Sequence, residues 1–143
     1  MENLNISLHS RDDKVKFSAT ARDNPEIVID YSPPIGTGEG YTSLELLMAS
    51  YGSCVSTTVL TILRHQMRKK VDGISVDVQG VVRDEHPKAL ERMNVALNIK
   101  ASDLSEPEVR QALAVAEEKL CPVWAMIKGN VEIDIEFLFL NKA

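Results

Sequence analysis

Alternation of hydrophobic and polar residues dominates the beginning of the chain. Val15, Phe17 and Ala19 share one face of "KVKFSATA", and Ile27 and Ile29 share one face of "EIVIDYS". A period of two with β-branched residues is typical of strands. Together with an earlier segment around "LNISLH", which precedes a turn at "RDD", the pattern predicts three strands.

A long apolar segment follows the proline- and glycine-rich loop "PPIGTGEGY". Thr42 and Glu45 form a capping-box pattern that predicts the start of a helix. Apolar residues then continue through "LLMASYGSCVSTTVLTILRHQM", and we expect a single helix that continues to about Lys70. Because there is almost no charge between Leu46 and Leu63, this helix should be buried nearly all round, which suggests burial against a second subunit.

The second half of the chain returns to alternation. "GISVDVQGVVRD" and "ERMNVALNIKA" predict a hairpin, and "SEPEVRQALAVAEEKL" predicts a helix capped by Ser105 and Glu108. Pro122 disfavours helical geometry at Cys121, so we place a break there, then a short helix that ends at Gly129 and a final strand, "VEIDIEFLFL". The predicted order is β-β-β-α-β-β-α-α-β, which is an α+β fold.

Composition limits the classes of function. The 143 residues fit one domain, residues 1–143, and the net charge of −5 argues against a general nucleic-acid binder. The N-terminal segment lacks the apolar core of a signal peptide, and no run approaches the roughly 18 apolar residues of a membrane span. We therefore expect a cytoplasmic protein that does not bind membranes.

Cysteine and histidine usage predicts no metal site. The chain has two cysteines and no C-x-x-C motif, and His9, His65 and His86 show no ligand spacing. No phosphate-binding motif is present either, so we expect no cofactor. In a reducing compartment a pair of cysteines is more often redox-active than a static disulfide.

Each cysteine has a structural interpretation as well as a chemical one. Cys54 lies on the apolar helix, where a free cysteine is often only a small hydrophobic residue. Cys121 lies at a helix break and fits the N-cap of the next helix, where the backbone N–H groups would favour a thiolate. It could equally be an incidental cap.

Three further residues have competing interpretations. Arg11, in "SRDDK", could carry charge to a site or be an ordinary solvated arginine. Glu45 is explained by the capping box alone. Trp124 is expected to pack the short helix into the core.

Two segments together resemble the OsmC/Ohr family of thiol-dependent peroxidases. "CPVWAMIKGNVEIDI" is similar to that family's C-P segment, which leads through a basic residue, Gly and Asn into the last strand. "SLELLMASYGSC" is similar to the helix that carries its first cysteine. The spacing and the order of elements match as well, and the similarity is strongest over residues 42–58 and 117–133.

This resemblance implies an intertwined homodimer in which central helices are buried between the subunits. Cys54 falls at the peroxidatic position and Cys121 at the resolving position. The family also uses an arginine near the N-terminal hairpin, for which Arg11 is the first candidate and Arg22 a competitor. The family also uses a glutamate at the start of the helix that carries the first cysteine, and Glu45 is the candidate for it. In an ungapped alignment on Cys54 that glutamate falls at Leu44, one residue and about 100° of helix rotation before Glu45.

The implied reaction reduces organic, and possibly inorganic, hydroperoxides through a Cys54 sulfenate and a Cys54–Cys121 disulfide, which a dithiol or a lipoylated protein would recycle. A cation beside the first cysteine matters because an ordinary thiol is only about 3% thiolate at pH 7.

Two alternatives remain open at this stage. One is a redox-sensing or ligand-binding protein without efficient turnover, and the other is a cysteine hydrolase with His65 as its base.

Overall fold

The computed structural model describes residues 1–140 and has the predicted order of elements. Residues 1–140 form three α-helices and six strands, together with two short π-helical turns that directly follow α1 and α2. Their bounds are β1 Ser7–Ser10, β2 Phe17–Thr20, β3 Ile27–Ile29, α1 Ser43–Thr61, β4 Val71–Val82, β5 Leu90–Ala101, α2 Glu106–Val115, α3 Pro122–Ile127 and β6 Glu132–Leu140. The α+β prediction is confirmed.

The chain forms two compact units, Met1–Leu47 and Met48–Ala143. The first unit contains an antiparallel sheet in the order β1-β2-β3. In the loop after β3 the carboxylate of Asp30 is 3% exposed and accepts hydrogen bonds from the Thr37 hydroxyl and from the N–H groups of Tyr31, Thr37 and Glu39. These bonds hold the pKa of the Asp30 carboxyl far below its usual range and fix the loop that leads into α1.

The second unit is built on the predicted hairpin. Strands β4 and β5 pair antiparallel over most of their length, and β6 joins β5 in parallel. The core face of this sheet carries the apolar residues of alternate positions, among them Met93, Val95, Leu97 and Ile99, all of which are buried.

Two glycines set the distance between α1 and this sheet. A Cβ atom built on Gly52 would lie 3.2 Å from Val78 Cγ2, and one built on Gly80 would lie 2.8 Å from Met48 Sδ. A larger residue at either position would push the helix off β4. The close approach fixes α1, and hence Cys54, against the core.

The end of α1 differs from the prediction. The helix does not continue to Lys70: its α-helical part ends at Thr61, and a π-helical turn, Ile62–Gln66, follows. The side chain of Arg64 donates two hydrogen bonds to the carbonyl of Val71, at 3.1 and 2.8 Å, and so ties this turn to the start of β4. Residues 67–70 therefore connect this turn to β4 and do not extend the helix.

Burial of α1 is one-sided within the chain. Tyr51, Gly52, Val55 and Val59 are buried, whereas an opposite face of small residues is exposed, comprising Ala49, Ser50, Ser53, Thr57 and Thr61. The stretch Ser43–Gln66 has a mean hydropathy of 1.6 and is long and apolar enough to cross a membrane, contrary to the expectation from sequence. Core helices of soluble proteins share this property, and 39% of the apolar stretch is buried within the described residues.

Candidate active site

The two cysteines of the chain meet although 67 positions separate them. Cys54 Sγ and Cys121 Sγ are 3.0 Å apart, and the Cys121 thiol donates a hydrogen bond to the Cys54 sulfur. Both are free thiols. A disulfide bond is about 2.05 Å long, so a movement of about 1 Å would join the two sulfur atoms.

Local structure at Cys121 follows from its neighbours. Pro122 occupies the first turn of α3, and Cys121 itself has extended backbone angles, φ −84° and ψ 103°, as N-cap. The Cys121 N–H donates to the carbonyl of Ala116 at 2.9 Å, which closes the π-helical turn Ala116–Leu120. The side chain is therefore held at a corner between two helical segments and is 2% exposed.

Electrostatics at Cys121 oppose the prediction that its position at a helix start favours a thiolate. Burial, followed by the hydrogen bond to Cys54, raises the pKa of the Cys121 thiol to about 11. Hydrogen bonds from the N–H groups of Trp124 and Val123 act in the opposite direction but are smaller. Cys121 is thus a neutral donor at physiological pH, and the prediction of a favoured thiolate is wrong for this residue.

Cys54 has a different environment. It lies in the middle of α1 and is half-buried, and its carbonyl accepts the Thr58 hydroxyl at 2.9 Å. Of the two cysteines, Cys54 is the more accessible to solvent.

An aromatic pair lies beside the thiols. The rings of Tyr51 and Trp124 meet edge to face, with centroids 5.6 Å apart at 87°. Tyr51 precedes Cys54 by three residues on α1. Trp124, on α3, follows the N-cap residue Cys121 by three residues. Trp124 is 7% exposed, which confirms its predicted packing into the core.

The predicted polar residues of the N-terminal unit have partners there. The Arg11 guanidinium donates to Ser18 Oγ at 2.6 Å and to Glu26 Oε2 at 2.8 Å. The Glu45 carboxylate accepts the Thr42 N–H at 2.8 Å while the Glu45 N–H donates to Thr42 Oγ1 at 3.2 Å, so the predicted capping box is present.

Two other candidates, Arg22 and His65, form no side-chain hydrogen bond or ion pair with either cysteine among residues 1–140. Arg22 occupies the turn after β2 with a positive φ of 57°. His65 is exposed in the π-helical turn after α1, and no hydrogen bond joins it to Cys54 within residues 1–140. That geometry gives no support to the hydrolase alternative.

Metal binding has no visible basis in the part of the chain that the structure describes. No group of three or more His, Cys, Asp or Glu side chains is placed to hold a metal ion among residues 1–140. The two thiols alone do not complete the four-ligand set that a structural zinc site requires.

Sequence reasoning missed one residue of this site, Tyr51. It is fully buried, and its hydroxyl has no hydrogen-bond partner among the described residues. Its position one helical turn before Cys54 was the available signal, but an aromatic residue on an apolar helix is ordinarily part of a core.

The chain is similar to known proteins in sequence and in fold. A curated relative, protein YhfA of Escherichia coli strain K12, is 27% identical over 90 residues, which are 63% of this chain and 66% of that protein. The match thus covers slightly less than two thirds of the length of YhfA.

Solved structures match over nearly the whole length. A hypothetical protein from Aquifex aeolicus VF5 has a TM-score of 0.81 and 27% identity, covering 99% of this chain and 100% of that one. A Legionella pneumophila protein described as an organic hydroperoxide resistance protein OsmC has a TM-score of 0.70 and 17% identity, covering 96% and 97%. At that identity the second comparison bears on the fold.

The sequence model of one family, described as OsmC-like protein, matches residues 36–136, a range that includes both cysteines. The fold, the paired thiols and this match lead to one conclusion: the chain belongs to the OsmC-like protein family.

Proposed function

We propose that the protein is a thiol-dependent peroxidase that reduces organic hydroperoxides, with Cys54 as the peroxidatic residue and Cys121 as the resolving residue. The observation that carries the proposal is the 3.0 Å contact between Cys54 Sγ and Cys121 Sγ. Two thiols so placed on different elements can form and break a disulfide with little movement of the backbone.

The difference between the two thiols supports these roles. Cys121 is buried, has a raised pKa of about 11 and donates its hydrogen to the Cys54 sulfur. The Cys54 sulfur is the acceptor of this hydrogen bond, and Cys121 keeps its proton as the donor. The thiolate is the nucleophile, and the accessible sulfur is the one that a peroxide can reach.

The reaction then has two steps. The Cys54 thiolate attacks the terminal oxygen of R–O–OH, the O–O bond breaks, and the alkoxide takes a proton from solvent to leave as R–OH. This leaves Cys54 as a sulfenic acid. The Cys121 sulfur attacks the Cys54 sulfur, and the sulfenic hydroxyl leaves with the Cys121 proton as water, giving the disulfide.

Recycling requires an external dithiol, which by similarity to the family is a small dithiol or a lipoylated protein. Cys54 is the less buried half of the disulfide, so we expect the reductant to attack its sulfur and to form the mixed disulfide there. Cys121 is then the leaving thiol, and its proton is restored on release.

A homodimer is part of the proposal. The exposed small-residue face of α1 carries no charge between Leu46 and Leu63, and large apolar residues such as Leu8, Phe17 and Tyr41 are exposed in the first unit. Exposed apolar surface of this extent is typical of an interface.

We include Arg11, with Arg22 as competitor, and Glu45 as candidate groups that stabilise or position the Cys54 thiolate.

One observation favours the second candidate, a redox sensor or ligand-binding protein without efficient turnover. The Arg11 guanidinium is paired with the Glu26 carboxylate and Glu45 is used in capping, so neither charge is uncommitted. Steady-state consumption of peroxide with a dithiol distinguishes the two, because a sensor would form its disulfide once and recycle slowly.

The first prediction concerns the subunit number. Static light scattering at low micromolar concentration should give about twice the chain mass of 15.9 kDa. A protein that remains monomeric and soluble at this concentration would contradict the dimer, since it would leave the uncharged face of α1 in water.

The second prediction concerns the pH dependence of alkylation. In Cys54→Ser, iodoacetamide should modify Cys121 only as the pH rises well above 9, because burial raises the pKa of this thiol and the thiolate is the reactive form. At pH 7.5, Cys54 in the Cys121→Ser variant should be modified faster than Cys121 in the Cys54→Ser variant, because Cys54 is more accessible. Equal rates in the two variants at pH 7.5 would contradict the assigned asymmetry.

The third prediction concerns a single turnover. Cys54→Ser should abolish peroxide reduction, because a serine hydroxyl does not supply a nucleophilic anion at neutral pH. Cys121→Ser should consume about one equivalent of peroxide and stop with a sulfenic acid that dimedone traps, or be oxidised further to a sulfinic acid. The opposite result, with Cys121→Ser inactive and Cys54→Ser competent for one turnover, would reverse the roles.

A further inference from the structure

Tyr51 is the one buried titratable side chain beside the thiols that the proposed reaction leaves unused. It is fully buried, while its hydroxyl lacks a hydrogen-bond partner among residues 1–140. A buried hydroxyl without a partner is destabilising relative to a satisfied one. The sequence could avoid that cost with phenylalanine, which would keep the edge-to-face contact with Trp124.

The position of Tyr51 is set by two contacts between the same pair of helices. Its ring meets Trp124 of α3, and Cys54, three residues later on α1, meets Cys121 at the start of α3. Side chains three apart on a helix are neighbours, with Cβ atoms about 5–6 Å apart. The phenol therefore shares one corner of the core with both sulfur atoms.

The charges that act on the phenol agree with this placement. Burial raises the pKa of Tyr51 above its ordinary value, and negative charge on Cys121, Glu117 and Cys54 raises it further, in that order. The phenol thus stays protonated throughout the physiological range and can act only as a hydrogen-bond donor or a neutral acceptor.

We propose that the Tyr51 hydroxyl donates a hydrogen bond to the oxygen that Cys54 gains from the peroxide, and that it thereby assists departure of this oxygen as water when Cys121 attacks. The inference rests on the proposed function, because the reduced protein has no acceptor for this hydroxyl and the first oxidation step creates one. The Tyr51 proton stays on the phenol: the water that leaves takes its second hydrogen from the Cys121 thiol.

The hydrogen bond from Tyr51 would assist the slow part of the second step, which is the attack of Cys121 on the Cys54 sulfur. Cys121, with its pKa of about 11, is rarely a thiolate at neutral pH, so its attack depends on a good leaving group at Cys54. A hydrogen bond from Tyr51 to this oxygen would stabilise the charge that develops there as the S–O bond breaks. Tyr51 is thus assigned to disulfide formation rather than to peroxide attack.

The test compares three variants in single-turnover experiments with one equivalent of cumene hydroperoxide. Tyr51→Phe removes only the hydroxyl. Ser56→Ala removes the other buried hydroxyl without a partner among the described residues, which lies on the same helix about 200° around from Cys54. Tyr31→Phe removes an exposed tyrosine hydroxyl.

Tyr51→Phe should consume peroxide at the rate of the parent protein but form the Cys54–Cys121 disulfide roughly ten- to hundredfold more slowly, as is typical for loss of one such donor. The sulfenic acid on Cys54, trapped with dimedone, should persist for correspondingly longer. Ser56→Ala and Tyr31→Phe should leave both steps unchanged. The reduced Tyr51→Phe protein should unfold at the same or a higher temperature, because an unpaired hydroxyl has been removed.

A Tyr51→Phe protein with an unchanged rate of disulfide formation would overturn the inference and leave the proposed function intact. A parent protein that consumes no peroxide would overturn both. A variant that slows both steps equally and unfolds at a lower temperature would show a structural role and would also contradict the inference.

A second measurement keeps Tyr51 intact. The chain has three tyrosines, so Tyr51 is the only one left after Tyr31→Phe and Tyr41→Phe. With Cys121→Ser added to stop the reaction at the sulfenic acid, ultraviolet resonance Raman spectra of the tyrosine hydroxyl should change to those of a hydrogen-bond donor after one equivalent of peroxide. A spectrum that does not change would contradict the inference even if Tyr51→Phe does not fold.

Discussion

The contact between the Cys54 and Cys121 sulfur atoms depends on how α3 begins. Pro122 ends the preceding helical segment at Cys121, and the π-helical turn Ala116–Leu120 brings the Cys121 N–H back to the carbonyl of Ala116. That corner buries the Cys121 side chain and directs it toward α1, which Gly52 and Gly80 hold close to the sheet. Thiol placement, thiol acidity and the aromatic contact of Tyr51 with Trp124 all depend on this arrangement.

Burial divides the chemistry between two residues of the same type. Because Cys121 loses hydration, its neutral form is favoured and it serves Cys54 as a hydrogen-bond donor. Cys54, half-buried on the side of a long apolar helix, is the more accessible of the two cysteines. Under the proposed function the same burial would slow resolution, and an unpartnered phenol next to both thiols offers the compensating donor.

Much of the fold followed from local patterns, and the site followed only in part. The order of elements, both capping boxes, the β4–β5 hairpin and the break at Cys121 depend on neighbouring residues, and sequence predicted all of them. The end of α1 was not predicted from sequence, because it depends on the hydrogen bonds from the Arg64 side chain to the carbonyl of Val71. The raised pKa of Cys121 was not predicted either, since a helix start indicates the backbone dipole but not the burial that outweighs it. Tyr51 was hidden because periodicity gives the face of a side chain and not the partners of its hydroxyl.

The central claim is that Cys54 and Cys121 of one chain form a redox pair, and mapping of the oxidised protein by mass spectrometry tests it most directly. After one equivalent of cumene hydroperoxide, the account predicts the loss of two hydrogen atoms per chain and one peptide pair crosslinked through Cys54 and Cys121. A control digest of protein treated first with a dithiol should release the two peptides. Two unmodified thiols after the same treatment, or crosslinks only between different chains, would contradict the account.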